Sequence, residues 1–562
     1  MPTTTAKVSD DALALQRLYH WERTVPGKVA LTQPMGGGQM LELSWAQVAD
    51  QARRMAAWLQ EQGFPPGSCI GILSKNCCWW LISDLAIWMA GHVSVPLYPT
   101  LASSTVAQIL AHSETRACFI GKLDDWDAMK PGVPAGLPCV SYPLAPEDAR
   151  RAYPGWDAIC AAQTPLAGEP VRRADELCTL IYTSGTTGMP KGVMHSFGGF
   201  AWALGSGAKR ITLGPEHRML SYLPLAHVAE RTLVEHGWLA YGLHVFFAEA
   251  LDTFAADMQR ARPTVFFSVP RLWVRFQQGV HHKLPPKKLD LLLKIPLVST
   301  LIKRKILRGL GLDQCSLAAG GAAPMPLALL DWYARLGLPI MEAYGMTENL
   351  GNSHLTVPGK NQRGTVGIPY EGVEARIDPA SGELQIRSPA VMLGYYKDPA
   401  LTAQTISADG WQSTGDKAEI DAATGCYRIT GRVKDLFKSS KGKYVAPAPI
   451  EDKLGTESLI EACIVTGANL NQPLGLVMLS PNAKALPREA VAERLRAHLE
   501  ALNARLDPHE RLSCLVLLQT PWTVDNGIVT PTFKVKRNRI EELFGPRYEA
   551  WEAQGQAVVW GD

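Results

Sequence analysis

The sequence predicts an α/β protein: a large N-terminal domain of helix-covered β-sheets that includes a β-rich subdomain, followed by a small α+β domain at the C-terminus. Three observations predict it. Short apolar runs alternate with amphipathic stretches between residues 44 and 120, the pattern of strands joined by helices in a parallel sheet. After Gly382 the texture changes, and strand-like pieces such as Glu383-Leu-Gln-Ile-Arg387 alternate with turn signals, Asp409-Gly410 and Thr424-Gly425. The length, 562 residues, leaves room for two or three domains.

The elements follow in order. Gly36-Gly-Gly38 reads as a loop tip, and residues 44–62 as a helix with Ser44 as its N-cap. Gly71–Leu73 reads as a strand, then a helix runs through Ala86 and Met89 into the strand Val93–Tyr98. Residues 103–116 give another helix and Ala117–Ile120 another strand, while the Pro- and Gly-rich residues 131–155 read as a surface excursion. The most apolar run, Cys77 to Val93, contains Asp84 and His92. It falls short of the roughly twenty apolar residues that a membrane span needs, so a buried helix is the reading. Leu177–Tyr182 reads as a buried strand. The expected domains are 1–433, with the β-rich subdomain at about 364–430, and 434–562.

Composition excludes some functions. The formal net charge of +3 gives no reason to expect nucleic acid as a partner. The eleven cysteines form no CxxC pair and no cluster of zinc spacing, and Cys77 and Cys78 are adjacent. Free thiols and a reducing cytoplasm are the expectation. Met1–Asp11 lacks the basic and apolar regions of a signal peptide.

The segment Tyr182-Thr-Ser-Gly-Thr-Thr-Gly-Met-Pro-Lys-Gly192 carries the chemistry. It concentrates glycines (Gly185, Gly188, Gly192), hydroxyls (Thr183, Ser184, Thr186, Thr187) and Lys191 in one loop after a strand. Successive backbone N–H groups in such a loop make a concave anion site, and lysine adds a point charge suited to phosphate. The spacing is not that of a Walker loop, because Gly188 is followed by Met-Pro-Lys and Lys191 by Gly192.

Six further segments follow. In Tyr222-Leu-Pro-Leu-Ala-His227-Val-Ala-Glu-Arg231, His227 opens a helix and Arg231 is either a surface charge or a brace for the loop. Ala319-Gly-Gly-Ala-Ala-Pro324, with Gly321, Ala322 and Ala323, is a small-residue turn on which a planar ring could lie. Met341-Glu-Ala-Tyr-Gly-Met-Thr-Glu348 ends in an acid that, beside a triphosphate, needs a cation between them. Trp411-Gln-Ser-Thr-Gly-Asp416 is followed by Arg432. Gly431-Arg-Val-Lys434-Asp-Leu-Phe-Lys438-Ser-Ser-Lys-Gly442 is basic and Ser-rich, a solvated edge or a functional loop. Thr530-Pro-Thr-Phe-Lys534-Val-Lys-Arg537 is a basic run after the tight turn Asp525-Asn-Gly527.

In this order the segments resemble the signature motifs of the adenylate-forming enzymes, the superfamily of acyl-CoA synthetases, luciferases and peptide-synthetase adenylation domains. The resemblance covers nearly the whole chain. Thr-Phe-Lys534 in place of the usual Thr-Gly-Lys, and Gly442 one residue later than usual, are similar to long-chain fatty acyl-CoA synthetases. The resemblance implies ATP-dependent conversion of a fatty acid to acyl-AMP with release of pyrophosphate, then transfer of the acyl group to coenzyme A. It implies that residues 182–192, including Thr183, Ser184, Gly185, Thr186, Thr187, Gly188 and Lys191, hold phosphates, and that Thr183 and Glu348 hold Mg2+. Gly321, Ala322, Ala323 and Tyr344 would meet adenine, Gly345 would belong to the same nucleotide site, Thr347 would meet the α-phosphate, Asp416 and Arg432 the ribose, and His227 the carboxylate substrate. Lys534 would be the catalytic lysine, with Lys536 as the alternative register. Lys434 would be the hinge of a mobile C-terminal domain that brings the loop from Lys438 to Gly442 to the site for the second step.

Two features bear on substrate. Pro263–Arg271 reads as a strand and turn, and similar segments border the acyl tunnel of fatty acyl-CoA synthetases. Residues 284–312 interleave lysines and arginines with Leu, Ile and Val. They read either as peripheral membrane contact or as a solvated helix on its own core. The expected partners are a fatty acid, ATP and coenzyme A, with the chain a monomer or homodimer. The expected location is cytoplasmic, or peripheral on the inner membrane face. An acyl-AMP ligase that loads a carrier protein, and a non-catalytic fatty-acid-binding protein on the same fold, are the alternatives.

Overall fold

Ser44 begins the first long helix as its chemistry requires. Its hydroxyl accepts the N–H of Gln47, and the Gln47 side chain accepts the N–H of Ser44, a reciprocal cap for Trp45–Glu61. The computed structural model describes residues 8–183, 189–357, 362–441, 443–523, 526–530 and 535–561. Backbone contacts divide the chain into one unit of 1–375 with 386–412, and a second of 376–385 with 413–562.

The first unit holds a seven-stranded sheet in the order Gly394–Tyr395, Lys191–Ser196, Leu177–Thr183, Val93–Leu97, Cys69–Leu73, Ala117–Ile120, Cys139–Ser141. From Leu177–Thr183 through Cys139–Ser141 the neighbours are parallel. Lys191–Ser196 and Gly394–Tyr395 then add antiparallel at the other edge. The strands expected between residues 71 and 120 are present with their intervening helices, Cys78–Met89 and Ser103–His112. The excursion at 131–155 differs from its reading: Cys139–Ser141 is a buried edge strand and Glu147–Ala152 a helix. Three residues beside a proline are too short a run to show a strand period.

Every residue of Cys78–Met89 is buried. Its one acid, Asp84, accepts from Arg231 at 2.5 Å, and both side chains are fully enclosed. The apolar run is therefore a core helix whose charge has an internal partner. Arg231 is a buried brace and not a surface charge, its guanidinium lying 5.1 Å from the ring centre of Trp80. All eleven cysteines are free thiols. Among the described residues no helix is long and apolar enough to cross a membrane.

A five-stranded sheet in the same unit runs Val265–Ser268, Leu317–Gly321, Ile340–Tyr344, His354–Leu355, Ile368–Pro369. Its first three strands are parallel and the rest antiparallel. A four-stranded sheet carries Gln39–Ser44, Val29–Gly36, His244–Phe247 and Arg218–Ser221.

The second unit contains the sheet Ile460–Thr466, Leu474–Leu479, Leu515–Leu518, Val558–Trp560. Alternate residues feed two cores: Leu515, Leu517 and Val477 join one, Val516, Leu518 and Leu476 the other. That is the period of two expected of a sheet buried on both faces. The sheet that contains Gln412–Ile420 and Tyr427–Arg432 pairs these two strands antiparallel.

Candidate active site

Leu177–Thr183 and Lys191–Ser196 form a hairpin in which Thr183 pairs with Lys191. The sequence-predicted loop thus joins two neighbouring strands. Ser184, Gly185, Thr186, Thr187 and Gly188 lie outside the described residues. Lys191 Nζ sits 5.7 Å from the ring centre of Tyr395, which is on the adjacent strand. The Tyr395 hydroxyl donates to Glu348 Oε1 at 2.8 Å. One aromatic residue therefore contacts both a candidate phosphate-binding cation and the candidate metal-binding carboxylate. Burial, and then the charge of Glu348, hold the Tyr395 hydroxyl well above its ordinary pKa, so it remains a donor.

Glu348 lies in the single 3-10 turn Thr347–Asn349, just beyond the strand Ile340–Tyr344. The turn is pinned from several directions. Asn349 is fully buried, its side chain accepting the N–H of Met346 at 2.9 Å. His195 Nε2 donates to the carbonyl of Thr347 at 2.7 Å. A carbonyl only accepts, so Nε2 carries the proton. Burial pulls the His195 pKa down to about 4, which leaves the ring neutral at ordinary pH. Gly345 is fixed by packing, because a Cβ there would stand 2.4 Å from the carbonyl carbon of Gly351.

Gly321 pairs with Ala343 at the ends of parallel strands, which brings the 321–323 turn beside Tyr344. A Cβ at Gly321 would lie 2.7 Å from the Ala343 carbonyl oxygen. Ala322 adopts φ +66°, the left-handed region, and both Ala322 and Ala323 are exposed. Tyr344 is half-buried, its ring 6.0 Å from that of His354. The carboxyl ends of parallel strands are where open α/β sheets bind ligands.

His227 caps the short helix Val228–Glu230, its Nδ1 accepting the N–H of Ala229 at 3.2 Å. The turn before it is held by Asn76, whose Oδ1 accepts from Leu225 N at 3.0 Å and whose Nδ2 donates to Leu223 O at 2.6 Å. Nδ2 also donates to Ser221 Oγ at 2.8 Å and Glu230 Oε1 at 3.2 Å. Glu230 Oε1 further accepts from Ser221 Oγ at 2.8 Å and Tyr222 N at 2.9 Å. Burial pushes the Glu230 carboxyl up to about 8 against those last two donors. The expected strand at Pro263–Arg271 is Val265–Ser268, followed by the helix Pro270–Lys283.

In the second unit Asp416 and Arg432 are cross-strand partners, and Arg432 Nε donates to Asp416 Oδ1 at 2.8 Å. Lys434 is exposed in the turn after Arg432, and Lys438 is exposed with Nζ 4.8 Å from the Tyr444 ring centre. Lys534 and Gly442 lie outside the described residues. Lys536 is the N-cap residue of the helix Arg537–Phe544.

The model of the AMP-binding enzyme family matches residues 18–396, well over half of the chain. The chain belongs to the AMP-binding enzyme family. The model of the AMP-binding enzyme C-terminal domain matches residues 434–551. Among curated members, the chain is 28% identical to a long-chain-fatty-acid–CoA ligase of Mycobacterium bovis, over 95% of this chain and 96% of that one. It is 27% identical to a peroxisomal long chain acyl-CoA synthetase of Arabidopsis thaliana, over 91% and 82%.

Solved structures share the family fold. The adenylation–carrier didomain of a carboxylic acid reductase from Segniliparus rugosus, in complex with AMP, aligns with TM-score 0.79 at 24% identity, covering 97% of this chain and 83% of that one. The o-succinylbenzoate CoA synthetase of Bacillus subtilis, with its acyl-adenylate, aligns at 0.73 and 20%, covering 93% and 97%. The adenylate-forming resemblance and the mixed α/β fold read from the sequence both hold.

Sequence reasoning passed over Tyr395, His195, Asn76 and Glu230. Nothing local distinguishes Tyr395 from any other aromatic or Asn76 from any other turn amide. Glu230 stands inside the His227 segment, but its role depends on Asn76, far away in sequence.

Proposed function

We propose that this member of the AMP-binding enzyme family is a fatty acid–CoA ligase acting on long- or medium-chain acids. The carrying observation is that Tyr395 joins Lys191 and Glu348 beside the phosphate-loop hairpin, with the small-residue turn at Gly321 next to Tyr344. The names of the curated relatives support the acid class and the thiol.

In the first half-reaction a carboxylate oxygen attacks the α-phosphorus of ATP, and pyrophosphate leaves. Both reactants are anionic, so positioning and charge neutralisation carry the rate. Lys191 and residues 184–188 would hold the β- and γ-phosphates, and Lys534 would bridge the carboxylate and an α-phosphate oxygen. Tyr344 and the 321–323 turn would receive adenine, Asp416 and Arg432 the ribose, Thr347 the α-phosphate, and His227 the acid. The oxygen donors Glu348 and Thr183 fit Mg2+, which takes one or two protein oxygens and completes its shell with phosphate; they would hold it, and bound there it neutralises phosphate charge. In the second half-reaction the thiolate of coenzyme A attacks the acyl carbonyl carbon and AMP leaves. For this step the C-terminal domain, residues 434–562, would turn about Lys434 and replace Lys534 by the loop from Lys438 to Gly442. The start of the C-terminal family match at residue 434 supports that boundary.

Pyrophosphate release measured for acids from acetate to oleate, with and without coenzyme A, tests the reading. Long-chain acids that release pyrophosphate, with free thiol consumed when coenzyme A is present, are expected. Adenylation without thiol consumption would indicate a carrier-protein acceptor, and no adenylation of any fatty acid would reject the substrate class.

A further inference from the structure

Residues 284–312 hold seven lysines and arginines against a single acid, Asp290, in a chain whose formal net charge is only +3. They fold as two helices, Pro286–Leu293 and Pro296–Gly309, joined by a short bend. One side of the pair rests on its own core: Leu289 is buried, and Ile302, Ile306 and Leu307 pack with the cluster around Trp273 and Tyr333. That accounts for half of the amphipathic pattern. The other half is unexplained by the fold. Leu291 is 63% exposed, Ile295 46%, Leu297 83% and Leu301 68%, all around the one bend. A lone exposed leucine is ordinary, but a cluster of four marks a contact surface.

The cations continue the same surface. On Pro296–Gly309, Leu297, Leu301, Arg304, Lys305 and Arg308 are all exposed, and their spacing puts them on one stripe of the helix. The apolar end of that stripe is at the bend and the basic end follows it. An open cleft of about 570 Å3 lies beside the pair, lined by Asp290, Leu293, Lys294, Lys303, Ala334 and Arg335. Asp290 is itself held by Arg335 at 2.6 Å.

We propose that this helix pair docks on an anionic lipid bilayer, with Leu291, Ile295, Leu297 and Leu301 entering the interface and the basic stripe lying among the headgroups. The cleft with Lys294, Lys303 and Arg335 would receive a phosphate-bearing headgroup. The chemistry favours this occupant over a second copy of the chain. A two-fold contact would set the basic stripe against itself, whereas a bilayer supplies both an apolar layer for the leucines and anions for the cations. The inference goes beyond the ligase reading and does not depend on it.

Flotation of the full chain with vesicles of phosphatidylcholine alone, or mixed with phosphatidylglycerol, tests it. Each lysine or arginine near an anionic surface strengthens binding about fivefold. Binding to the mixed vesicles is therefore expected to exceed binding to the neutral ones by at least about tenfold and to weaken in high salt. The triple variant Arg304→Ala, Lys305→Ala, Arg308→Ala should lose at least about tenfold of that binding. Leu297→Asp with Leu301→Asp should abolish it, with the thermal melt retained as the control for folding. If that pair misfolds, Lys287→Ala with Lys288→Ala provides a milder second variant, expected to weaken binding. Equal partition to both vesicle types, or full binding by the folded variants, overturns the proposal. So does a lipid-free dimer in solution that Leu297→Asp and Leu301→Asp convert to monomer.

Discussion

At Tyr395 one hydroxyl and one ring face serve two groups of opposite charge, Glu348 and Lys191. Tyr395→Phe keeps the ring and removes only the donor. A hydrogen bond to a charged group contributes about 1.5–3 kcal/mol, so pyrophosphate release is expected to fall about 10- to 100-fold, with the Mg2+ half-saturation point moving upward. A magnesium titration of the variant checks this, and wild-type behaviour would remove Tyr395 from the site. Glu230 gives a prediction of a different kind. Its folded pKa, about 8, stands above the value near 4.5 of a free glutamate. The folded state therefore holds a proton that the unfolded state has lost, and this stabilising contribution, complete below about pH 4.5, disappears as the pH rises through 8. Glu342, pushed up to about 7 by burial, acts in the same direction. His195 and His244, both pulled down to about 4 by burial, act in the opposite one: their contribution is present above about pH 6.5 and lost as the pH falls through 4. Stability is thus expected to fall on both sides of a mildly acidic plateau. Glu230→Gln should remove about 1.4 kcal/mol per pH unit from the loss between pH 6.5 and 8, measured by denaturant unfolding of variant and wild type across that range.

Among the elements, the turn between Ser221 and the helix Val228–Glu230 depends on a residue from another part of the chain. The amide of Asn76 bonds both the N–H of Leu225 and the carbonyl of Leu223. Asn76→Ala leaves those groups without that partner. Losing a buried partner costs about 1–3 kcal/mol, so the KM for the acid is expected to rise about 5- to 100-fold while the KM for ATP stays near its original value. Initial rates at varied acid and varied ATP separate the two, and an equal rise in both would reject a positioning role for Asn76. The elements themselves were largely legible. The helix Trp45–Glu61 announces itself through Ser44 and its apolar spacing, and the strand Leu177–Thr183 through its unbroken apolar run. The edge strand Cys139–Ser141 was not, because a short strand is defined by its neighbour in the sheet and not by its own period.

For the molecule as a whole, the proposed chemistry divides between two lysines far apart in the chain. Lys534→Ala is expected to lose adenylate formation, by the factor of about 10²–10³ typical of a removed charge-stabilising donor, yet to go on using supplied acyl-AMP. Lys434→Pro, which restricts the proposed hinge, is expected to do the reverse. Separate assays of pyrophosphate release and of CoA thioester formation from acyl-AMP distinguish the two, and equal loss of both half-reactions in both variants would reject domain alternation. The run of residues 183–192 proposed to hold phosphates and the ordered motifs were visible in the chain itself, because a run of glycines, hydroxyls and one lysine is local chemistry that needs no fold to be noticed. So were the family, through motifs that resemble in order those of the adenylate-forming enzymes, and the α/β architecture, since periodicity records which face of each segment is buried. What the sequence could not contain was the meeting of Tyr395 with Glu348, of His195 with Thr347, of Asn76 with Glu230, or of Arg231 with Asp84. Each pairs residues distant along the chain, and only the close packing of the folded protein decides which buried polar group must satisfy which.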